Sequence, residues 1–464
     1  MIGTLTKNQI EYVWYHFSLM YTLDKEQKKY FHYITDSNTS SYPKQKIVFC
    51  LSKDSFNKGN IFYHRNVPIL FPKKSNILCS HTEENLIFHH DILKSAFFLL
   101  SGYQEYNSHQ KDHLNRFPFE RSVQNELSII KIPVVNYYFE IIANEINRFF
   151  KRRRLKKCEK TNLFPSFVFQ LSHDIDRVDY YTVNFLLFNL KSFFRQKKTT
   201  FQEIPNVPFL IKISKEILKF SKKENPYWDF EFLLNTEEQF HIKSNYYFLP
   251  KRERNIDASY SLREKRIVSL IKEIVNKGHE ISLHGTVRSS EDKKALMEDI
   301  HQLKNIVKSR IYGIRHHRLS FSIPHTAILH QGTELSYDNT LLFASHEGFR
   351  NSFCLPFKLF DFDNDTIIDH WLVPLNVMDS TLFDYRKLNF VEAHRSVMEL
   401  VEQVQKFNGV FSLLWHNGYF DETRKKPGLR KFYLEILSSV IKREPISLTG
   451  KELIDMVKKH YNER

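Results

Sequence analysis

From Pro165 onward, short apolar strands alternate with helical patterns over about 300 residues, a rhythm that restricts this region to a parallel sheet or a βα-barrel. The candidate strands are Phe167–Ser172, Asn245–Leu249, Glu280–His284, Tyr312–His316, Leu335–Tyr337, Leu372–Val377 and Val410–Trp415. The clearest helices between them are Leu262–Lys277 and Phe390–Phe407. Four strands run directly into residues suited to metal binding or proton transfer. Phe167–Ser172 leads into His173-Asp174-Ile175-Asp176, Glu280–Leu283 into His284, Tyr312–Ile314 into Arg315-His316-His317, and Phe411–Trp415 into His416-Asn417. In βα-barrels the C-terminal strand ends converge on one face and build the active site.

Each strand end has a chemistry of its own. In extended chain, residues i and i+2 point the same way, so Asp174 and Asp176 share one pocket. Two such carboxylates resist ionising together unless a cation or an Arg lies between them; one can bind a divalent metal while the other serves as general base. Gly278 ends the preceding helix and leaves His284 aimed at the strand's far end, where imidazole is a common metal ligand. A carboxylate cluster opposite the positive run Arg315-His316-His317-Arg318 would relieve its charge and could orient Arg315 onto Asp174. His416, beside Trp415, suits a general acid. Tyr227 and Trp228 lie in an Asn-Pro-Tyr-Trp turn and offer faces for stacking on sugar rings. Asp338 follows a strand, and Arg350 is read as a clamp for an anionic substrate group.

Residues 1–158 read as a separate, smaller α+β unit, with strands at Lys46–Leu51, Ile61–His64 and Val67–Phe71 and helices at Asn85–Leu100 and Pro133–Phe150. Residues 159–464 form the strand–helix unit. The formal charge of +15 favours anionic partners, among them an anionic membrane surface, a charged glycan or nucleic acid. Nucleic acid is the weakest of these, because the basic run Lys151–Lys157 reads more simply as a solvated helix end. The four cysteines lack C-x-x-C spacing and read as reduced thiols. With no signal-peptide pattern and no apolar block of membrane-spanning length, the expected location is cytoplasmic, with membrane association left open. Walker, G-x-G-x-x-G, H-E-x-x-H and G-x-S-x-G motifs are absent, so nucleotide-dependent transfer, zincin proteolysis and serine hydrolysis have no positive support.

The strand-end residues resemble the motifs of the polysaccharide deacetylase family, carbohydrate esterases that include chitin and peptidoglycan deacetylases. The resemblance runs over roughly Phe167–Tyr419. It implies a distorted (β/α) barrel of about seven strands. Asp174 would be the base, Asp176 and His284 metal ligands, Arg315 the residue orienting the base, and His416 the general acid. Tyr103-Gln-Glu-Tyr106, Arg116-Phe-Pro118, Asn225-Pro-Tyr-Trp228, Gly348-Phe-Arg350 and Val377-Met-Asp-Ser-Thr-Leu382 resemble a bacterial subgroup with an extra N-terminal domain. The family's second motif carries another histidine four residues after the first. Here that residue is Arg288, and His317, from the neighbouring strand end, is the candidate replacement ligand.

The resemblance implies an N-deacetylase, or deformylase, using a divalent metal of the Zn²⁺ type. It would act on an N-acylated amino-sugar glycan or a lipid-linked precursor. The alternative is a catalytically silent glycan-binding protein on the same scaffold, an option raised by Arg288.

Overall fold

The computed structural model describes residues 3–35, 42–108, 110–161, 163–180, 183–195, 205–218, 225–251, 258, 260–420 and 427–462. Its centre is a ten-stranded sheet. In chain order the strands are β1 (Val168–Ile175), β2 (Ser244–Phe248), β3 (Glu280–Gly285), β4 (Gly313–His316), β5 (Tyr337–Asp338), β6 (Phe357–Asp361), β7 (Thr366–Leu372), β8 (Val377–Met378), β9 (Val410–Leu414) and β10 (Ile446–Ser447). The spatial order is β6-β7-β5-β4-β3-β2-β1-β9-β8, and β10 pairs with β1. Every pairing is parallel except the β6–β7 hairpin. All eight residues of β1 are buried, as expected of a parallel strand covered on both faces.

The sheet curls because one stretch of chain serves both flanks. The Val373 N–H donates to Asp338 O at 2.8 Å beside β5, and three residues later the Asn376 N–H donates to Ser412 O at 3.2 Å beside β9. Leu372–Val377, read from sequence as one strand, is therefore the crossing between two. Among the described residues the ladder does not close end to end, and it holds more strands than the seven anticipated. The β6–β7 hairpin escaped the sequence reading because its strands carry charged Lys358 and Asp361 on β6 and Asp369 on β7 among their apolar residues, which blurs the alternation.

The strand bottoms are closed by side chains. Tyr337 faces inward and donates to Glu280 Oε1 at 2.9 Å, while Asn245 Nδ2 donates to the Tyr337 hydroxyl at 2.8 Å. The helix Gly450–Asn462 caps this end: Gly450 N–H reaches Asn245 Oδ1 and Lys451 N–H reaches Glu280 Oε2, an anion at a helix N-terminus. Gly313 and Gly450 flank the Tyr337 ring so tightly that a Cβ at either would come within 2.2 Å of it.

The N-terminal region carries a four-stranded sheet in the order Phe31–Ile34, Ile47–Cys50, Leu86–Phe88, Cys79–His81. The expected helix Asn85–Leu100 begins later, because Leu86–Phe88 pairs with Ile47–Phe49 and Asp91 caps the helix Ile92–Leu100 through the Lys94 N–H at 2.8 Å. The long helix Val134–Arg152 lies where Pro133 predicts a start. One apolar cluster runs through both regions, from Leu5 to Val457. At the join, buried Arg350 forms a fork–fork pair with buried Glu105 (2.9 and 2.6 Å) and donates to Leu342 O.

Candidate active site

The C-terminal ends of β1, β3, β4 and β9 meet at a cleft of about 340 Å³, lined among others by Asp174, Asp176, His284, His317 and His416. Strand alternation sorts β1 as the spacing predicts. Asp174 and Asp176 face the cleft, while His173 turns to the other side, bonded to Trp415 O at 2.6 Å and Glu237 Oε1 at 2.7 Å.

Arg315 organises the inner wall. Its wholly buried guanidinium donates to Asp174 Oδ1 at 2.7 Å, to Ser172 Oγ at 2.9 Å and to Asn339 O at 2.9 Å, and it also bonds Asn339 Oδ1. The Tyr247 ring lies beneath it, 4.2 Å from ring centre to guanidinium carbon. This fixes one oxygen of Asp174 and leaves Oδ2 facing His284 Nε2 at 3.6 Å. The Arg315 carbonyl also takes a hydrogen bond from His284 Nδ1 at 2.7 Å. That bond commits the proton to Nδ1 and leaves the Nε2 lone pair turned into the cleft.

Around that lone pair the donors crowd. His284 Nε2 lies 3.2 Å from Asp176 Oδ1, and His317 Nε2 lies 3.7 Å from Asp176 Oδ2. One ligand atom from each of Asp176, His284 and His317 falls within 4.8 Å of the others. Asp176 Oδ1 and His284 Nε2 are buried atoms without a hydrogen-bond partner. Burial works against the Asp176 charge, but the His317 imidazole outweighs it and holds the carboxyl well below the usual carboxylate range.

Arg288 does not enter the cleft. It sits on a short turn after β3, exposed, and pairs with Asp292 at 2.9 Å. His317 instead reaches Asp176 from the end of β4.

His416 stands across from this group, its Nε2 3.9 Å from Asp176 Oδ2. Its Nδ1 meets Asp379 Oδ1 at 2.8 Å, and its backbone N–H donates to Asp379 Oδ2. Burial would depress the His416 pKa, yet the Asp379 carboxylate, with Asp176 and Asp174 behind it, lifts it to about 10. Asp379 was not singled out from sequence. The clue was a carboxylate directly after the apolar Val377-Met378 pair, the same strand-end position that marks the other site residues.

The substrate-contact candidates divide. Tyr227 lines the cleft, packed edge-on against Tyr180. Asp338 is fully buried, because inward-facing Tyr337 sends its successor to the outer face of β5. Arg350 is spent on Glu105 and cannot clamp a ligand. Trp415 is fully buried among Tyr433, Phe420 and Phe383. Trp228 lies outside the cleft lining, edge-on to Phe230 with the Arg266 guanidinium over its ring. Cleft residues missed from sequence include Arg177, Arg318 and, from the N-terminal region, Leu114 and Arg116; Arg116 Nη1 donates to Arg318 O at 2.8 Å. Loop residues of this kind carry no periodicity that would assign them a direction.

No helix among the described residues is long and apolar enough to cross a membrane. Residues 4–151 match the model of a family of unknown function, DUF7033. No curated protein matches the chain. Similar solved structures include one assigned as a polysaccharide deacetylase from Mycobacterium smegmatis, with 16% identity and a TM-score of 0.41, covering 64% of this chain and 93% of that one. Puue allantoinase has 12% identity and a TM-score of 0.40, covering 65% of this chain and 92% of its own. The chitin deacetylase from the fungal pathogen Colletotrichum lindemuthianum has 10% identity and a TM-score of 0.31, covering 62% and 87%.

Proposed function

We propose that this chain is a metal-assisted amide hydrolase that removes an N-acetyl or N-formyl group from an amino sugar of a glycan or glycan precursor. One observation carries the reading. A His–His–Asp ligand set, a carboxylate fixed by a buried arginine and a histidine kept charged by its own carboxylate all share a single cleft.

The donors suit a divalent ion. Asp176 Oδ1 and His284 Nε2 are buried and unpartnered, and the His284 tautomer is already set for ligation. Two imidazoles and one carboxylate, with a side left open to the cleft, match the three-ligand pattern of catalytic zinc sites. Asp176, His284 and His317 would hold the ion. When bound, it supplies Lewis acidity for the scissile carbonyl and acidifies water beside it.

The chain's own groups do the proton work. Asp174 Oδ2 accepts the proton of the attacking water, while Arg315 holds Oδ1 and the carboxylate's orientation. As the C–N bond breaks, His416 Nε2 gives its proton to the departing amine, and Asp379 keeps that proton in place until then. The products are a carboxylic acid and a free amino sugar. Tyr227 supplies a ring face at the rim, and Arg177 and Arg318 suit a glycan that carries a uronate or phosphate. In this reading the curled sheet is a distorted barrel and residues 1–158 an accessory unit that contributes one wall of the cleft.

The silent glycan-binding alternative drew its support from Arg288, which is turned onto Asp292 and away from the donors. The test is acetate or formate release by the zinc-loaded protein from a panel of N-acylated glycans, neutral, uronate-bearing and lipid-linked. Release from any member supports the proposal. Glycan binding without release from the whole panel would return the alternative.

A further inference from the structure

Behind the wall that carries Arg315, a second group of ligating side chains is sealed from solvent. His316 lies on β4 and Asp338 on β5, adjacent strands whose register pairs Ile314 with Asp338. His330 comes from the helix His325–His330 that covers them. All three are at most 1% exposed. Since Arg315 and Tyr337 point inward, alternation turns His316 and Asp338 to the outer face, away from the cleft.

The contacts within the group are unbalanced. His316 Nε2 and His330 Nε2 lie 2.9 Å apart and share one proton. The other nitrogen of His330, Nδ1, faces Asp338 Oδ2 at 3.8 Å, and both atoms are buried without a hydrogen-bond partner. Asp338 Oδ1 is already occupied by the Thr340 N–H at 2.6 Å. A separation of 3.8 Å is too long for a hydrogen bond. In a tetrahedral shell, ligand distances of ~2.0–2.2 Å set neighbouring ligand atoms ~3.3–3.6 Å apart, so these two need to close by only a few tenths of an ångström to share an ion. One ligand atom from each of His316, His330 and Asp338 lies within 4.8 Å of the others, so the whole set would draw together by about 1 Å to share an ion.

We infer that His316, His330 and Asp338 form a second, structural site for a divalent transition ion, with zinc the best match to two imidazoles and a carboxylate. It would tie the helix His325–His330 to β4 and β5 and so brace the strand whose neighbouring residues, Arg315 and His317, serve the cleft. The inference is independent of the proposed activity.

Zinc titration of the chelator-stripped full chain tests it, with bound equivalents counted by elemental analysis. Wild type should bind two equivalents, His284→Ala one, His330→Gln one, and the double variant none. Retention of one equivalent by His284→Ala and its loss in the double variant would support the second site even if the cleft site fails. No zinc on His284→Ala, or an undiminished count in His330→Gln, would overturn the inference. Should His330→Gln fail to fold, zinc-edge absorption on His284→Ala decides: an imidazole shell supports the site, and no bound zinc refutes it.

Discussion

Asp379 sets what His416 can do. A folded-state pKa of about 10, against an ordinary 6.5, keeps the imidazole protonated through neutral pH and ready to donate. The same shift stabilises the folded chain fully below about 6.5, and that contribution is lost as pH rises through about 10. Replacing Asp379 with Asn keeps the shape and removes the charge, so the alkaline limb of the kcat/KM profile should move toward neutrality; an unmoved limb would detach Asp379 from the acid. Asp174→Asn should lower kcat by the ~10²–10⁴-fold typical of a general base while zinc content stays the same. A fall in zinc together with kcat would make Asp174 a ligand instead. At this scale the sequence was legible where strand alternation applies, as at Asp174, Asp176 and His284. It misled at Asp338 and Arg350, where proximity to a strand end concealed an outward face and a partner 245 positions away.

The end of β4 is the element on which the site turns. His284 and Arg315 are register partners on β3 and β4, so one backbone contact sets the His284 tautomer while the Arg315 side chain holds Asp174. Two residues on, His317 reaches Asp176, the task that an Arg at position 288 cannot perform. His317→Ala should therefore weaken zinc binding by more than the ~10–100-fold that loss of an outer-shell partner costs. Arg288→Ala should leave zinc affinity unchanged and stability within ~0.5 kcal/mol, as expected of an exposed substitution; equilibrium dialysis and denaturant unfolding check both. Long, strongly apolar strands such as β1, β3 and β9 were readable within a few residues. The two-residue strands β8 and β10 were not, because they are defined by neighbours rather than by a pattern of their own, and the expected Leu335–Tyr337 meets β5 only at its first residue.

Across the whole molecule, the N-terminal region is part of the structure that holds the cleft. It shares the apolar core, contributes Leu114 and Arg116 to the cleft, and is pinned through the buried Arg350–Glu105 pair. Arg350→Ala strands the Glu105 charge in the interior and should cost ~3–5 kcal/mol, measured by denaturant unfolding. A loss below ~1 kcal/mol would mean that the join is carried by apolar packing alone. These contacts were not legible in the sequence, since pairs of residues hundreds of positions apart leave no local trace. The central claim, that remote strand ends assemble one metal-dependent centre, is tested most directly by an anomalous-scattering map at the zinc edge from zinc-soaked crystals. A peak should stand between Asp176, His284 and His317, with Asp174 and His416 on its open side. The absence of density there at full zinc loading, or a peak that excludes His317, would contradict it.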